Sequence, residues 1–181
     1  MDIRIEKTER AIRNAFLEIR AAKPLEKITI KELCALACIN KSTFYSHYAD
    51  IYALSEKLES ETITTVIRNI SEQQESPFKN PDIFTRNLYM ALIANKSLIN
   101  ILFSGTEKSR LGDCIEAEMK RLLYLKYPEY EHDMKKDILL SFCIQGCFHV
   151  YLNNSGRDLD MLVHVSEQIV GRLAPLYMEE M

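Results

Sequence analysis

The sequence predicts an all-α protein of about nine helices, and three observations carry that prediction. Apolar residues recur at helical spacing along most of the 181 residues. No stretch alternates long enough to make a credible strand, and only five Gly and five Pro are present to interrupt helices. With 47% hydrophobic and 27% charged residues, the composition is that of a chain with a buried core rather than a disordered one.

Taken in order, residues 4–22 place Ile12, Ala15, Phe16 and Ile19 on one helical face, and Pro24 closes that helix. The run Ile28-Thr29-Ile30 alternates as a strand would. Thr29 and Glu32, however, form a T-x-x-E capping box ahead of Leu33, Leu36 and Ala37, which favours a second helix. A third follows almost at once with Asn40 as its N-cap. Asp50 caps a long fourth helix bearing Leu54, Leu58, Ile63, Ile67 and Ile70. Residues 74–82 are the clearest break, and Asn80-Pro81 reads as cap and first residue of a fifth helix to about Ala94. Further helices are expected near 97–104, 108–126 and 129–153, the last stopping at Gly156, and then from about 158 to 178. This order divides the chain into a three-helix head, residues 1–50, and a helical body, residues 51–181.

Charge and cysteine usage narrow the setting. Residues 1–50 carry nine Lys/Arg against seven Asp/Glu, a balance of +2, and the remainder carries fourteen against nineteen, a balance of −5. A slightly basic head on an acidic body suits a nucleic-acid reader whose remainder does something else. The five cysteines, an odd number, do not form a disulfide framework. The charged start and a longest apolar run of fifteen residues, 138–152, which includes Gln145 and His149, predict a cytoplasmic, reduced protein with no leader and no membrane span.

The stretch "NKSTFYSHYAD", residues 40–50, holds four aromatic or imidazole rings and no Leu, Ile or Val. Two short helices joined by a tight turn, with the second rich in small polar residues, make a helix-turn-helix. Phe44 and Tyr48 stand at i and i+4 and are expected to face inward, toward Leu33, Ile39 and Phe16. Lys41, Ser42, Thr43, Tyr45, Ser46 and His47 are then left outside, where small hydroxyl groups can enter a DNA major groove and longer side chains can reach phosphates.

The segment "ITIKELCALACINKSTFYSHYADIYAL" resembles the DNA-binding head of the tetracycline-repressor (TetR) family, whose pattern runs loosely T-V-x-x-I-A-x-x-A-G-V-S-x-G-T-x-Y-x-H-F. Thr29, Ile30, Leu33, Ala37, Ile39, Thr43, Tyr45, His47 and Tyr48 fill the matching slots, and the resemblance covers about residues 5–60. Three departures stand out. Cys38 replaces a turn Gly where a positive φ is wanted. Asn40 replaces a capping Ser. Ile51 occupies a position where many members carry a phosphate-contacting Lys, leaving the helix end near Asp50 as a partial substitute.

The resemblance implies a homodimeric, ligand-responsive transcriptional regulator, a repressor, acting on a palindromic double-stranded DNA operator without a cofactor. By the same resemblance Thr29, Lys41, Thr43, Tyr45 and His47 hold phosphates and Lys41, Ser42 and Ser46 read bases, with Asn40 in the same surface. Arg4 and Lys7 reach the backbone or minor groove.

The body offers less. Its apolar helices near 129–153 and 158–178, the latter with Leu162, Val165, Ile169, Val170 and Leu173, suggest a four-helix dimer interface between two copies. Asn87, Tyr89, Tyr124, Gln145 and His149 are candidates to line a site for an apolar or amphipathic effector among helices 81–94, 108–126 and 129–153. Gln145 and His149, at i and i+4, would form its orienting pair. Cys143 and Cys147 share that spacing, which can bind a metal or a thiol-reactive compound, and read first as small core hydrophobes. With no metal-ligand spacing among His132, His149 and His164, no G-x-S-x-G, no H-E-x-x-H and no glycine-rich loop, catalysis and a metal centre are not expected. A helical interaction module, or a small helical enzyme with a structural head, is the alternative.

Overall fold

The computed structural model describes residues 3–71, 80–105, 110–154, 158–173 and 175–178. Among them the chain is all-helical: α1 Ile3–Ala22, α2 Ile30–Leu36, α3 Lys41–His47, α4 Ile51–Ser71, α5 Pro81–Ala94, α6 Lys96–Leu102, α7 Arg110–Lys126, α8 Met134–Asn154, α9 Leu159–Leu173 and a short α10, Pro175–Met178. Single 3₁₀ turns at Leu25–Lys27 and Pro128–Tyr130 precede α2 and α8. The second of these shortens the helix expected from residue 129, because Pro128 opens a turn rather than a continuous helix. The Gly156 stop and residues 72–79 of the interhelical break lie outside the described residues. No described helix is long and apolar enough to cross a membrane.

Contacts divide the chain into two units, and not at residue 50. The first comprises Met1–Thr62 with Ser97–Lys108, the second Ile63–Lys96 with Ser109–Met181. Residues 51–62 of α4 and most of α6 therefore belong with the head.

In the first unit, Ile12, Phe16, Leu33, Phe44 and Leu54 form a core with essentially no solvent exposure. Leu102 and Phe103, at the end of α6, are buried in the same unit. Arg20 explains how that distant segment is tied in. Its guanidinium is buried and donates to the main-chain carbonyls of Lys23, Leu102 and Ser104, the last at 2.9 Å. Carbonyls at a helix end have no intrahelical donor and carry partial negative charge, so a buried guanidinium is stabilised there.

The second unit is built mainly on α5 against α9 and α7 against α8. Arg86 of α5 makes a two-pronged ion pair with the nearly buried Glu167 of α9, its Nη2 lying 2.7 Å from Oε2. Gly112 lets α7 approach α8 closely: a Cβ there would meet the Phe148 ring at 2.6 Å. Ile63, Ile67 and Ile70 of α4 are buried in this unit, as their spacing predicts.

Candidate nucleic-acid face and body cavity

Side-chain caps position the short α3. Thr29 Oγ1 accepts from Glu32 N at 3.3 Å and starts α2, while the Glu32 carboxylate pairs with Lys23 instead of completing a capping box. After α2 the chain reverses through Cys38, whose φ of 56° makes it the one non-Gly described residue with positive φ. Asn40 Oδ1 then accepts from Thr43 N at 2.7 Å and opens α3. Phe44 and Tyr48 are buried on one side of α3, and Tyr45 on the other side is 55% exposed.

Thr29, Asn40, Lys41, Ser42, Tyr45 and Ser46 are exposed, and Thr43 and His47 half-buried. Their hydroxyls are already engaged: Ser42 and Thr43 both donate to Asn40 Oδ1, and Ser46 donates to the Thr43 carbonyl. In this arrangement they offer oxygen lone pairs outward, suited to the amino groups of cytosine and adenine, and must rotate to donate to a phosphate. Lys41 supplies positive charge on the same exposed side.

Glu9 lies behind His47. The imidazole Nδ1 lies 3.8 Å from Glu9 Oε1, and that carboxylate also takes Lys57 Nζ at 3.2 Å. Lys57 in turn sits 5.2 Å from the centre of the Tyr48 ring. Burial lowers the Lys57 pKa and the Glu9 pairing more than offsets it, so the ammonium titrates above its ordinary value.

Ile51 is buried and takes no part in the face. Its neighbour Tyr52, which sequence reasoning passed over, is 53% exposed in the first turn of α4, behind the Asp50 cap on Ala53 N at 2.8 Å. The signal was present: with Ile51, Leu54 and Leu58 inward, position 52 must face out.

In the second unit a cavity of about 50 Å³ opens among α5, α7 and α8, the three helices singled out for an effector, with Val170 of α9 on its wall. Of the five candidate residues only Tyr89 lines it, and its hydroxyl donates to the Cys147 carbonyl at 2.8 Å and lies 3.0 Å from Ser166 Oγ. Burial above all pushes the Tyr89 hydroxyl well above its usual pKa.

The other four lie elsewhere. Gln145 turns away to Glu116 at 2.8 Å and Asp113 at 3.2 Å, because those carboxylates on α7 compete for its amide. Tyr124 donates to Asp137 at 2.7 Å. His149 is exposed, and Asn87 is half-buried off the cavity wall. The structure does not bring Gln145 and His149 together as an orienting pair.

Cys143, Cys147 and Met119 do line the cavity. Burial chiefly pushes the Cys147 thiol up to about 11, with the Tyr89 hydroxyl opposing and Cys143 adding to the rise. A thiol held protonated is a poor nucleophile. Among the described residues no three His, Cys, Asp or Glu side chains form a metal-binding group.

No protein-family model matches the chain, and no curated protein matches it.

Proposed function

We propose that the chain is a sequence-specific, DNA-binding transcriptional regulator: a cytoplasmic, homodimeric repressor of the TetR kind, without catalytic activity, whose body takes an effector. The observation that carries this reading is the two-sided α3. Phe44 and Tyr48 anchor it while Lys41, Ser42, Tyr45 and Ser46 remain exposed on a helix short enough for a major groove.

Dimerisation draws on a different feature. Ile138, Phe142 and Val150 form a ridge at spacings of four along α8, interrupted only by Gly146, and all three are exposed. Met161, Val165 and Ile169 form a second exposed ridge on α9. Gly146 leaves open space where a Cβ would stand, so another helix can approach closely there. A continuous apolar surface on two helices suits a second copy packed about a two-fold axis, which also presents two heads to two half-sites.

An effector in the body acts only by binding better to one of two arrangements of the heads than to the other. The observed cavity, at about 50 Å³, is far below the roughly 300–1,000 Å³ that encloses an organic ligand of drug size. The expectation of an amphipathic molecule therefore gives way to a much smaller occupant.

Selection from random double-stranded DNA followed by mobility-shift titration tests the reading. A regulator yields a palindromic consensus bound with strong salt dependence. An interaction module or enzyme yields no enriched sequence.

A further inference from the structure

Three sulfur atoms belong to side chains on the wall of the body cavity. Cys143 and Cys147 stand one turn apart on α8, both half-buried, and Met119 contributes from α7. No carboxylate or imidazole is among the lining residues, and Leu88, Ile115 and Ile144 are typical of the remainder. A volume of about 50 Å³ exceeds the roughly 10–15 Å³ that one water needs by the same kind of measure. It is ample for a single ion.

We propose that this cavity binds one soft monovalent cation of the copper(I) class, held by the sulfurs of Cys143 and Cys147 with the Met119 thioether as third donor. Thiolate and thioether ligands select copper(I) among first-row metals, whereas zinc asks for four ligands and finds three here. Positions i and i+4 on a helix have Cβ atoms about 5–6 Å apart, so both cysteine side chains can turn to one ion. Both cysteines bind as thiolates, so two protons leave to solvent and the site with its monovalent ion carries a net charge of −1. Binding therefore strengthens as pH rises, because the ion must displace the proton of a Cys147 thiol that burial holds high.

Cys34 and Cys38 share the spacing but not the setting: Cys34 is buried, and Cys38 is exposed in its left-handed turn. That the ion acts as effector rests on the regulator reading above; that it binds does not.

Anaerobic titration of the full chain with copper(I), in competition with the chromophoric chelator bicinchoninate, reads the site without DNA. One ion per chain is expected, with zinc(II) failing to displace it. Cys143→Ala and Cys147→Ala each weaken binding by more than the roughly 10–100-fold seen for changes behind a ligand. Met119→Leu, which keeps apolar volume, weakens it less, and Cys38→Ser leaves it unchanged. Circular dichroism melting checks that each variant folds, and Met119→Leu carries the test if an alanine variant does not.

Failure of the wild type to compete with the chelator overturns the site. So does binding that survives both alanine variants, or a cavity that takes a hydrophobic fluorescent probe and no copper(I). In a parallel mobility shift, an ion that binds but leaves operator affinity unchanged overturns the effector role and leaves the metal site standing.

Discussion

Glu9 Oε1 lies 3.8 Å from His47 Nδ1, joining α1 to the last turn of α3. The same carboxylate pairs with Lys57 of α4 at 3.2 Å, so one acidic side chain lies against two basic residues of the head. Glu9→Gln removes that charge while keeping size. Because these groups are partly exposed, the change costs less than about 1 kcal/mol of stability. Operator affinity relative to non-specific DNA is expected to fall severalfold as His47 and Lys57 lose their fixed positions. Paired titrations with operator and scrambled DNA measure it; an unchanged ratio removes Glu9 from any positioning role.

Tyr45→Phe and His47→Ala test the outward face itself. Tyr45→Phe should leave the melting temperature nearly unchanged, since that ring is 55% exposed, whereas His47→Ala should lower it modestly because the imidazole side chain is 15% exposed. Each should weaken operator binding. Tyr45→Phe removes no charge and should leave the slope of log K against log salt unchanged, whereas His47→Ala flattens it, by at most about 0.9, only at a pH where the imidazole is protonated. Wild-type binding by both variants would place the DNA-contacting surface elsewhere.

Cys38 bears a left-handed backbone that costs a side-chain-bearing residue about 1–2 kcal/mol. Glycine relieves that strain and returns part of the gain through its looser unfolded chain. Cys38→Gly should therefore stabilise the first unit by roughly 0.5–1 kcal/mol. Denaturant titration reads the change; a destabilised variant would show that the Cys38 side chain contributes packing.

Phe142, at 66% exposure, contributes little to the core of its own unit, as does Ile169 at 54%. Phe142→Glu or Ile169→Glu should yield a folded monomer under conditions where the wild type is a dimer. Sedimentation velocity with circular dichroism separates the outcomes. A wild type that is monomeric at micromolar concentration ends the dimer proposal.

Acid should loosen the contact of α7 with α8. For Glu116, burial raises the pKa, but hydrogen bonds from Ser141, Gln145 and Lys120 outweigh it and hold the carboxyl below its ordinary value. Lys120 and then Tyr124 hold Asp137 low in the same way. Folded-state values below unfolded ones mean that this stability is fully present above the ordinary carboxylate range. It is lost as pH falls through the lower, folded values. Stability measured against pH should drop across that window, and Glu116→Gln should flatten the drop; equal slopes would show that Glu116 is not linked to folding.

Every helix expected from the sequence has a counterpart among the described residues, and the reasons are local. Thr29, Asn40 and Asp50 cap helices because each sits a few residues from the amides it accepts from, and Phe44 and Tyr48 turn inward because spacing four places them on one helical side. The positive φ at Cys38 follows from a turn too short for any other path. What lies beyond one turn of chain was decided only by tertiary packing. Arg20 joins residues 102–104 to the head across more than eighty positions, so the division at residue 50 could not foresee it. Gln145 left the cavity for Glu116 because an amide takes the strongest nearby acceptor, and which acceptor is near depends on how α7 crosses α8 at Gly112. That crossing also sets Met119 on the same wall as Cys143 and Cys147. Sequence spacing orders residues along one helix, whereas a site shared by several helices exists only once their packing fixes which faces meet.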